Sequence, residues 1–248
     1  MGTVATLSWL SNQGISPQLR HRYKASGWIE RVGLGAYVRA GDRVNWKGMV
    51  YGLQRHAHMD IWPGGRTALA LYGHAQYLPM GKEIVSLFAN PGTRLPTWVG
   101  QYDWGVRIKF SVPRLFESAD KDSETGSQFD ISAGHFEGLL LKVSSMERAS
   151  LEMLYQVRSE IEFVVASETF QSLVNLRPQL MQSYLEVCRS VRVKRLALFF
   201  GAYYKQPWYS KVNATAIDLG AGKRQVVKGG VLNETFQITI PAEFADGS

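Results

Sequence analysis

Apolar residues recur at helical spacing from the start of the chain. Val4, Leu7 and Leu10 share one face of a helix predicted over residues 3–12, and Gly14 supplies the left-handed turn that ends it. Ser16 followed by Pro17 is a helix-start signal, because Ser caps free backbone N–H groups and Pro fits the first helical position. The second helix runs over 16–26 and stops at Gly27. Its apolar stripe is Leu19 and Tyr23, with Arg20, His21 and Lys24 turned away from that stripe and Gln18 at its edge. Residues 28–32 and 36–39 then read as two short strands around the turn Gly33-Leu34-Gly35. Helix, turn, basic helix and hairpin is the order of a winged helix-turn-helix.

Beyond Gly41 the pattern predicts helices at 46–58 and 67–72, strands at 84–89 and 106–112, and a polar loop at 118–128 without a bulky apolar residue. A buried strand is expected at 139–143. Helices follow at 146–157, 160–170, 178–188 and 191–204, then strands at 225–228 and 235–240 joined by a turn with Gly229, Gly230 and Asn233. The fold class is α+β: an N-terminal winged helix-turn-helix over residues 1–44, followed by a larger mixed α/β domain over 45–248.

Charge sharpens this picture. Of 28 Lys and Arg, six lie within the first 44 residues, against two of the 21 Asp and Glu; that segment holds +4 of the net +7 and is a candidate for binding a polyanion. On the basic helix, Gln18, Arg20, His21 and Lys24 are placed to meet base edges and phosphates in a major groove, with Arg31 and Arg39 on the hairpin reaching the flanking backbone. A second basic run, Arg189, Arg192, Lys194 and Arg195, is a candidate partner or nucleic-acid patch, or else the solvated start of a helix whose other face is core.

Signals for other chemistry are weak. Gly220-Ala221-Gly222-Lys223-Arg224 looks like a phosphate loop but has Ile217 where the motif needs Gly and Arg224 where it needs Ser or Thr, and a strand follows it. His56, His58 and Asp60 lack a further ligand at metal-site spacing and read as polar residues at a helix end. His135 with Glu137, and Glu160 with Glu162, are unsupported as acid–base pairs. No catalytic residue, cofactor or metal is assigned. The single cysteine, Cys188, makes no intramolecular disulfide, and the longest apolar run, 196–204, is about half the roughly 20 residues a membrane span needs. A cytosolic protein without a secretory signal is expected. Met1-Gly2 with Thr6 matches the myristoylation pattern, but an ordered helix is the preferred reading. Trp46, Trp62, Trp98, Trp104 and Trp208 are read as packing residues.

Several segments together resemble the AbiEi family, the antitoxins of type IV toxin–antitoxin systems known from phage abortive infection. They are Gly2-Thr3-Val4-Ala5-Thr6 with Trp9-Leu10, Ser26-Gly27-Trp28-Ile29-Glu30-Arg31, Gly35-Ala36-Tyr37, Gly65-Arg66-Thr67-Ala68-Leu69, Pro91-Gly92-Thr93-Arg94-Leu95-Pro96, Ser145-Met146-Glu147-Arg148-Ala149, and Asp218-Leu219-Gly220 through Lys228-Gly229-Gly230. The resemblance implies a winged helix that binds inverted repeats in its own promoter, with 16–26 as the reading helix and 28–39 as the wing. It also implies a C-terminal domain that opposes a nucleotidyltransferase-like toxin without a stable complex, and no catalytic residues. Family members carry another helix before the position of Gly2. Here either the domain is a shortened form or another element, with 46–58 the candidate, covers Leu7 and Leu10. The alternative reading is a winged-helix transcription regulator with a ligand-sensing second domain; an enzyme acting on nucleotides or on the toxin is a third class.

Overall fold

The computed structural model describes residues 2–74, 81–116 and 131–247; the loop expected at 118–128 lies outside them. The architecture is mixed α+β, and the chain forms two compact units. One comprises Met1–Pro63, Pro79–Pro113 and Ile131–Val143; the other comprises Gly64–Leu78, Arg114–Asp130 and Ser144–Ser248.

The first unit opens with strand β1 (Ala5–Thr6), helices α1 (Leu7–Asn12) and α2 (Pro17–Ala25), and the hairpin β2 (Ile29–Gly33) and β3 (Ala36–Arg39). β1 pairs antiparallel with β3, which pairs with β2, giving a three-stranded sheet. The first helix is therefore shorter than the spacing predicts. Thr6 ends β1, and its Oγ1 accepts from the Trp9 N–H to cap α1, so a residue with strand geometry doubles as the helix cap. Gly14, Gly27 and Gly35 adopt the positive φ that ends each helix and turns the hairpin.

Strand alternation puts Val4, Thr6, Ala36 and Val38 on one face of this sheet, all between 0% and 6% exposed. That face is closed by α3 (Trp46–Tyr51), capped by Asn45, and the π-helical turn Gly52–His56 that continues it. A Cβ on Gly48 would lie 2.2 Å from the Gly2 carbonyl oxygen, and one on Gly52 would lie 2.5 Å from that of Val4; glycines four apart let the first strand lie directly on the helix. The Thr6 hydroxyl donates to the His56 carbonyl, and the Trp9 and His56 rings lie 4.3 Å apart. The element at 46–56 thus covers the sheet. Leu10 is buried, whereas Leu7 stays 40% exposed. The division expected after Val44 falls inside this compact unit.

The rest of the unit is a mixed sheet of β4 (Ile61–Pro63), β5 (Ile84–Ala89) and β6 (Arg107–Ser111), and the hairpin β7 (Ser132–Phe136) and β8 (Leu139–Val143). Buried Gln54 ties them to the helix: its amide donates to the carbonyls of Ile61 and Lys142 at 2.7 and 2.8 Å and accepts from the Lys142 N–H at 2.9 Å.

The second unit is helical: α4 (Gly65–Leu71), α5 (Met146–Gln156), α6 (Glu160–Ser172), α7 (Pro178–Val187) and α8 (Val191–Tyr203), with a small sheet of β9 (Arg224–Gln225), β10 (Val231–Asn233) and β11 (Ile238–Ile240). Ser145, Ser159 and Ser190 cap α5, α6 and α8. Phe163, Phe170, Phe199 and Phe200 form its aromatic core with Trp208 also buried. Two carboxylates are buried in α5. Glu147 accepts three hydrogen bonds at 2.9 Å from Arg177, and these outweigh the upward push of burial to hold its pKa below the usual carboxylate range. Glu152 accepts from Ser144, Arg148 and the Gly65 N–H. All five tryptophans read as packing residues are buried.

Candidate nucleic-acid interface

The α2 sequence dictates which side chains face outward. Leu19 and Tyr23, four residues apart, are half-buried against the hairpin, while Pro17, Gln18, His21, Arg22, Lys24 and Ala25 are exposed. No residue of α2 is fully buried. Ser16 accepts from the Leu19 N–H at 3.2 Å, and the helix carries Arg22 and Lys24 in its last turn, where cations oppose the negative helix end.

Five predicted residues form a common exposed surface on this helix and its wing. Gln18, His21 and Lys24 recur at intervals of three on the outward side. Strand register puts Arg31 opposite Tyr37 and Arg39 opposite Ile29, on the sheet face away from α3 and towards α2. Both arginines are exposed, and Arg31 Nε donates to the Gly33 carbonyl at 3.0 Å, pinning that side chain along the wing turn. Trp28, 68% exposed, stacks at 13° and 6.0 Å on Tyr23 where the helix meets the wing.

Arg20 departs from the expectation of an exposed reader. It is half-buried, its guanidinium lies 5.9 Å from the Tyr37 ring centroid, and its Nη1 is buried without a hydrogen-bond partner among the described residues. Arg20 braces α2 on the sheet. Arg22, exposed and not singled out from the sequence, takes its place on the outer surface. At 100° per residue Arg20 and Arg22 flank the outward direction about equally, so the helical pattern alone does not tell them apart.

The second basic run needs a correction. Lys194 and Arg195 are 5% and 4% exposed, so they form no surface patch. Lys194 Nζ donates to the Asp218 carbonyl at 3.0 Å, and Arg195 donates to the carbonyls of Leu219, Gly220, Gly222 and Gln237. These cations hold the 218–222 loop and the sheet that follows. Arg189 is exposed, and Arg192 is half-buried, donating to the Tyr155 and Val157 carbonyls.

Several of the remaining polar candidates have structural partners. His56 Nδ1 lies 2.6 Å from the Val4 carbonyl, and burial holds the imidazole below its ordinary pKa, with His58 pushing the same way and the hydrogen bond opposing. Asp60 pairs with Lys142, and Glu137 with Lys47. Burial pushes the Cys188 thiol up to about 11, leaving it unreactive. No group of three or more metal-ligating side chains occurs among the described residues. No helix among them is long and apolar enough to cross a membrane.

A three-stranded sheet carrying an exposed basic helix and an arginine-bearing wing defines a winged helix-turn-helix of the transcription-regulator class. The chain belongs to the AbiEi antitoxins of type IV toxin–antitoxin systems. The family model described as transcriptional regulator, AbiEi antitoxin N-terminal domain, matches residues 1–80, and that described as transcriptional regulator, AbiEi antitoxin, type IV TA system, matches residues 82–241. The family is one of regulators rather than enzymes. Among solved structures, the crystal structure of the RV2827C protein from Mycobacterium tuberculosis shares the fold, with a TM-score of 0.62 at 14% identity over 96% of this chain and 86% of that one. Comparison with curated proteins returns no match.

Proposed function

We propose that this chain represses its own operon by binding inverted repeats in promoter DNA, and separately neutralises a nucleotidyltransferase-like toxin without a stable complex. DNA reading is assigned to the side chains of residues 1–44, which residues 46–56 of the same compact unit support from behind, and antitoxicity to the rest of residues 45–248. The observation that carries the DNA reading is the shared exposed face of α2 and the wing. Gln18, His21 and Lys24 meet base edges and backbone, and Arg22, Lys24, Arg31 and Arg39 neutralise phosphates.

Four phosphate contacts give a slope of log affinity on log salt of about −4. Promoter titration across salt tests this: Lys24→Ala is expected to weaken binding and shallow the slope by about one. Unchanged affinity in the double variant Arg22→Ala/Lys24→Ala removes α2 from the reading. The division of labour is tested by growth rescue on co-expression with the neighbouring nucleotidyltransferase-like protein. The same double variant, which leaves the packing of residues 46–56 on the first strand intact, is expected to rescue growth as the native chain does. Loss of rescue in that folded variant rejects the division.

A further inference from the structure

In the second unit a cleft of about 430 Å3 is lined by Arg158, Arg192, Gln225, Val226 and Lys228. Three of these five are cations and none is an acid. Arg158 follows α5 and Arg192 opens α8, yet both reach the same two carbonyl oxygens. Arg158 Nη1 donates to Tyr155 at 2.6 Å and Val157 at 2.8 Å; Arg192 donates to Val157 at 2.5 Å through Nη1 and to Tyr155 at 2.9 Å through Nη2. Two guanidinium groups anchored to one pair of carbonyls stand side by side, and carbonyl dipoles only partly compensate two full charges. Burial and the charge of Arg158 push Arg192 down to about 10, while Tyr155 and Glu162 favour its charged form. One Glu162 oxygen accepts the Arg158 backbone N–H at 2.7 Å. Each guanidinium carries five N–H donors, so the carbonyl contacts orient the pair without exhausting it.

We propose that this cleft binds the phosphate groups of a small polyphosphate, a nucleoside di- or triphosphate. Planar guanidinium pairs match phosphate oxygens two at a time, and Lys228 adds a point charge from the facing segment. The volume lies in the range of small-molecule sites. Val226, buried in the wall, adds an apolar element beside the charged ones. Cations converging on a concavity suit a compact ligand better than a duplex, whose phosphates run along a convex surface. The proposal is independent of promoter reading by α2.

Calorimetric titration of the full chain with inorganic pyrophosphate at low salt tests it. Saturable binding at one site is expected, displaced by a nucleoside triphosphate. Lys228→Gln and Arg158→Gln should each weaken it on the order of tenfold, as loss of one charged hydrogen-bonding group does, while Lys24→Ala leaves it unchanged. Both cleft residues are exposed, so unaltered melting of the unliganded variants shows intact folds. Absence of binding at millimolar pyrophosphate overturns the proposal. So does affinity indifferent to both cleft variants, or affinity lost in Lys24→Ala, which places the anion on α2. If Lys228→Gln weakens promoter binding while pyrophosphate does not bind, the cleft is a nucleic-acid contact and the small-ligand proposal fails.

Discussion

Replacing Gly52 with Ala tests whether the winged domain is held by direct seating of its first strand on the helix at 46–56. In an exposed helix this change gains stability, by about 0.8–1 kcal/mol, because Ala loses less backbone entropy than Gly. Here the new methyl would stand 2.5 Å from the Val4 carbonyl oxygen and 2.9 Å from the Val4 Cβ, atoms of the main chain or attached directly to it. Restoring ordinary contact requires the strand to lift by nearly an ångström, against its pairing with β3 and the link between His56 and the same carbonyl. Overpacking of this kind costs about 1–3 kcal/mol. Because the clash is with backbone, the upper half of that range applies, and after the helix gain the net is a loss of about 1–2 kcal/mol. Urea unfolding should show a lower midpoint with an unchanged slope, and melting should fall by about 2–4 °C per kcal/mol. Promoter affinity should fall as well, because β1 supports the β3 strand on which Arg20 braces α2. A variant more stable than the native chain would show that the strand is not seated there and would refute the argument.

Other outcomes follow from individual contacts. Arg20→Ala should lower stability by about 1 kcal/mol through loss of its stacking on Tyr37, whereas Lys24→Ala should leave melting unchanged; equal melting of the two variants would contradict their different burial. His56 has a folded pKa below its ordinary value of 6.5, so between the two values the unfolded chain binds more protons. Stability is full above the unfolded value and declines as pH falls through it, and melting compared at about pH 7.5 and about pH 5.5 should show a drop that His56→Gln reduces. Glu147→Gln removes the charge that Arg177 neutralises and should cost about 1.5–3 kcal/mol in urea unfolding. The Glu147 contribution has the usual carboxylate sign: its folded pKa is depressed, so it is present above about pH 4.5 and lost as pH falls below it.

What the sequence makes legible is what local chemistry controls. Ser16 and Pro17 open α2 and Gly27 closes it, because capping and positive φ act over a few residues. The cap serines of α5, α6 and α8 mark their starts for the same reason. Contacts across long separations are not legible in this way. Ala5–Thr6 forms a strand only because Ala36 and Tyr37 arrive beside it, and the apolar spacing of Val4, Leu7 and Leu10 disguises it as helix. β7 escaped notice because Ser132–Phe136 contains Gly134 and little β-branched character; its partner Leu139–Val143 supplies the pairing. In the candidate interface, Arg20 and Arg22 are equivalent by helical angle, and only Tyr37, 17 residues later, separates brace from surface. Lys194 and Arg195 read as a basic patch because the carbonyls that bury them come from 24 to 42 residues further along.

Arg195 also gives the glycine-rich stretch at 220–224 an unexpected polarity. A phosphate loop turns successive N–H groups inward around an anion. Here the carbonyls of Leu219, Gly220 and Gly222 converge on a guanidinium, while the Gly220 N–H is taken by Asp218. The same glycines that suit an anion cradle have built its electrostatic inverse, a socket for a cation supplied by the chain itself. An uncharged side chain of similar length at position 195 would leave a ring of acceptors facing one another. The loop should then open from its centre outward, and an added guanidinium or ammonium ion, rather than phosphate, is the solute expected to close it.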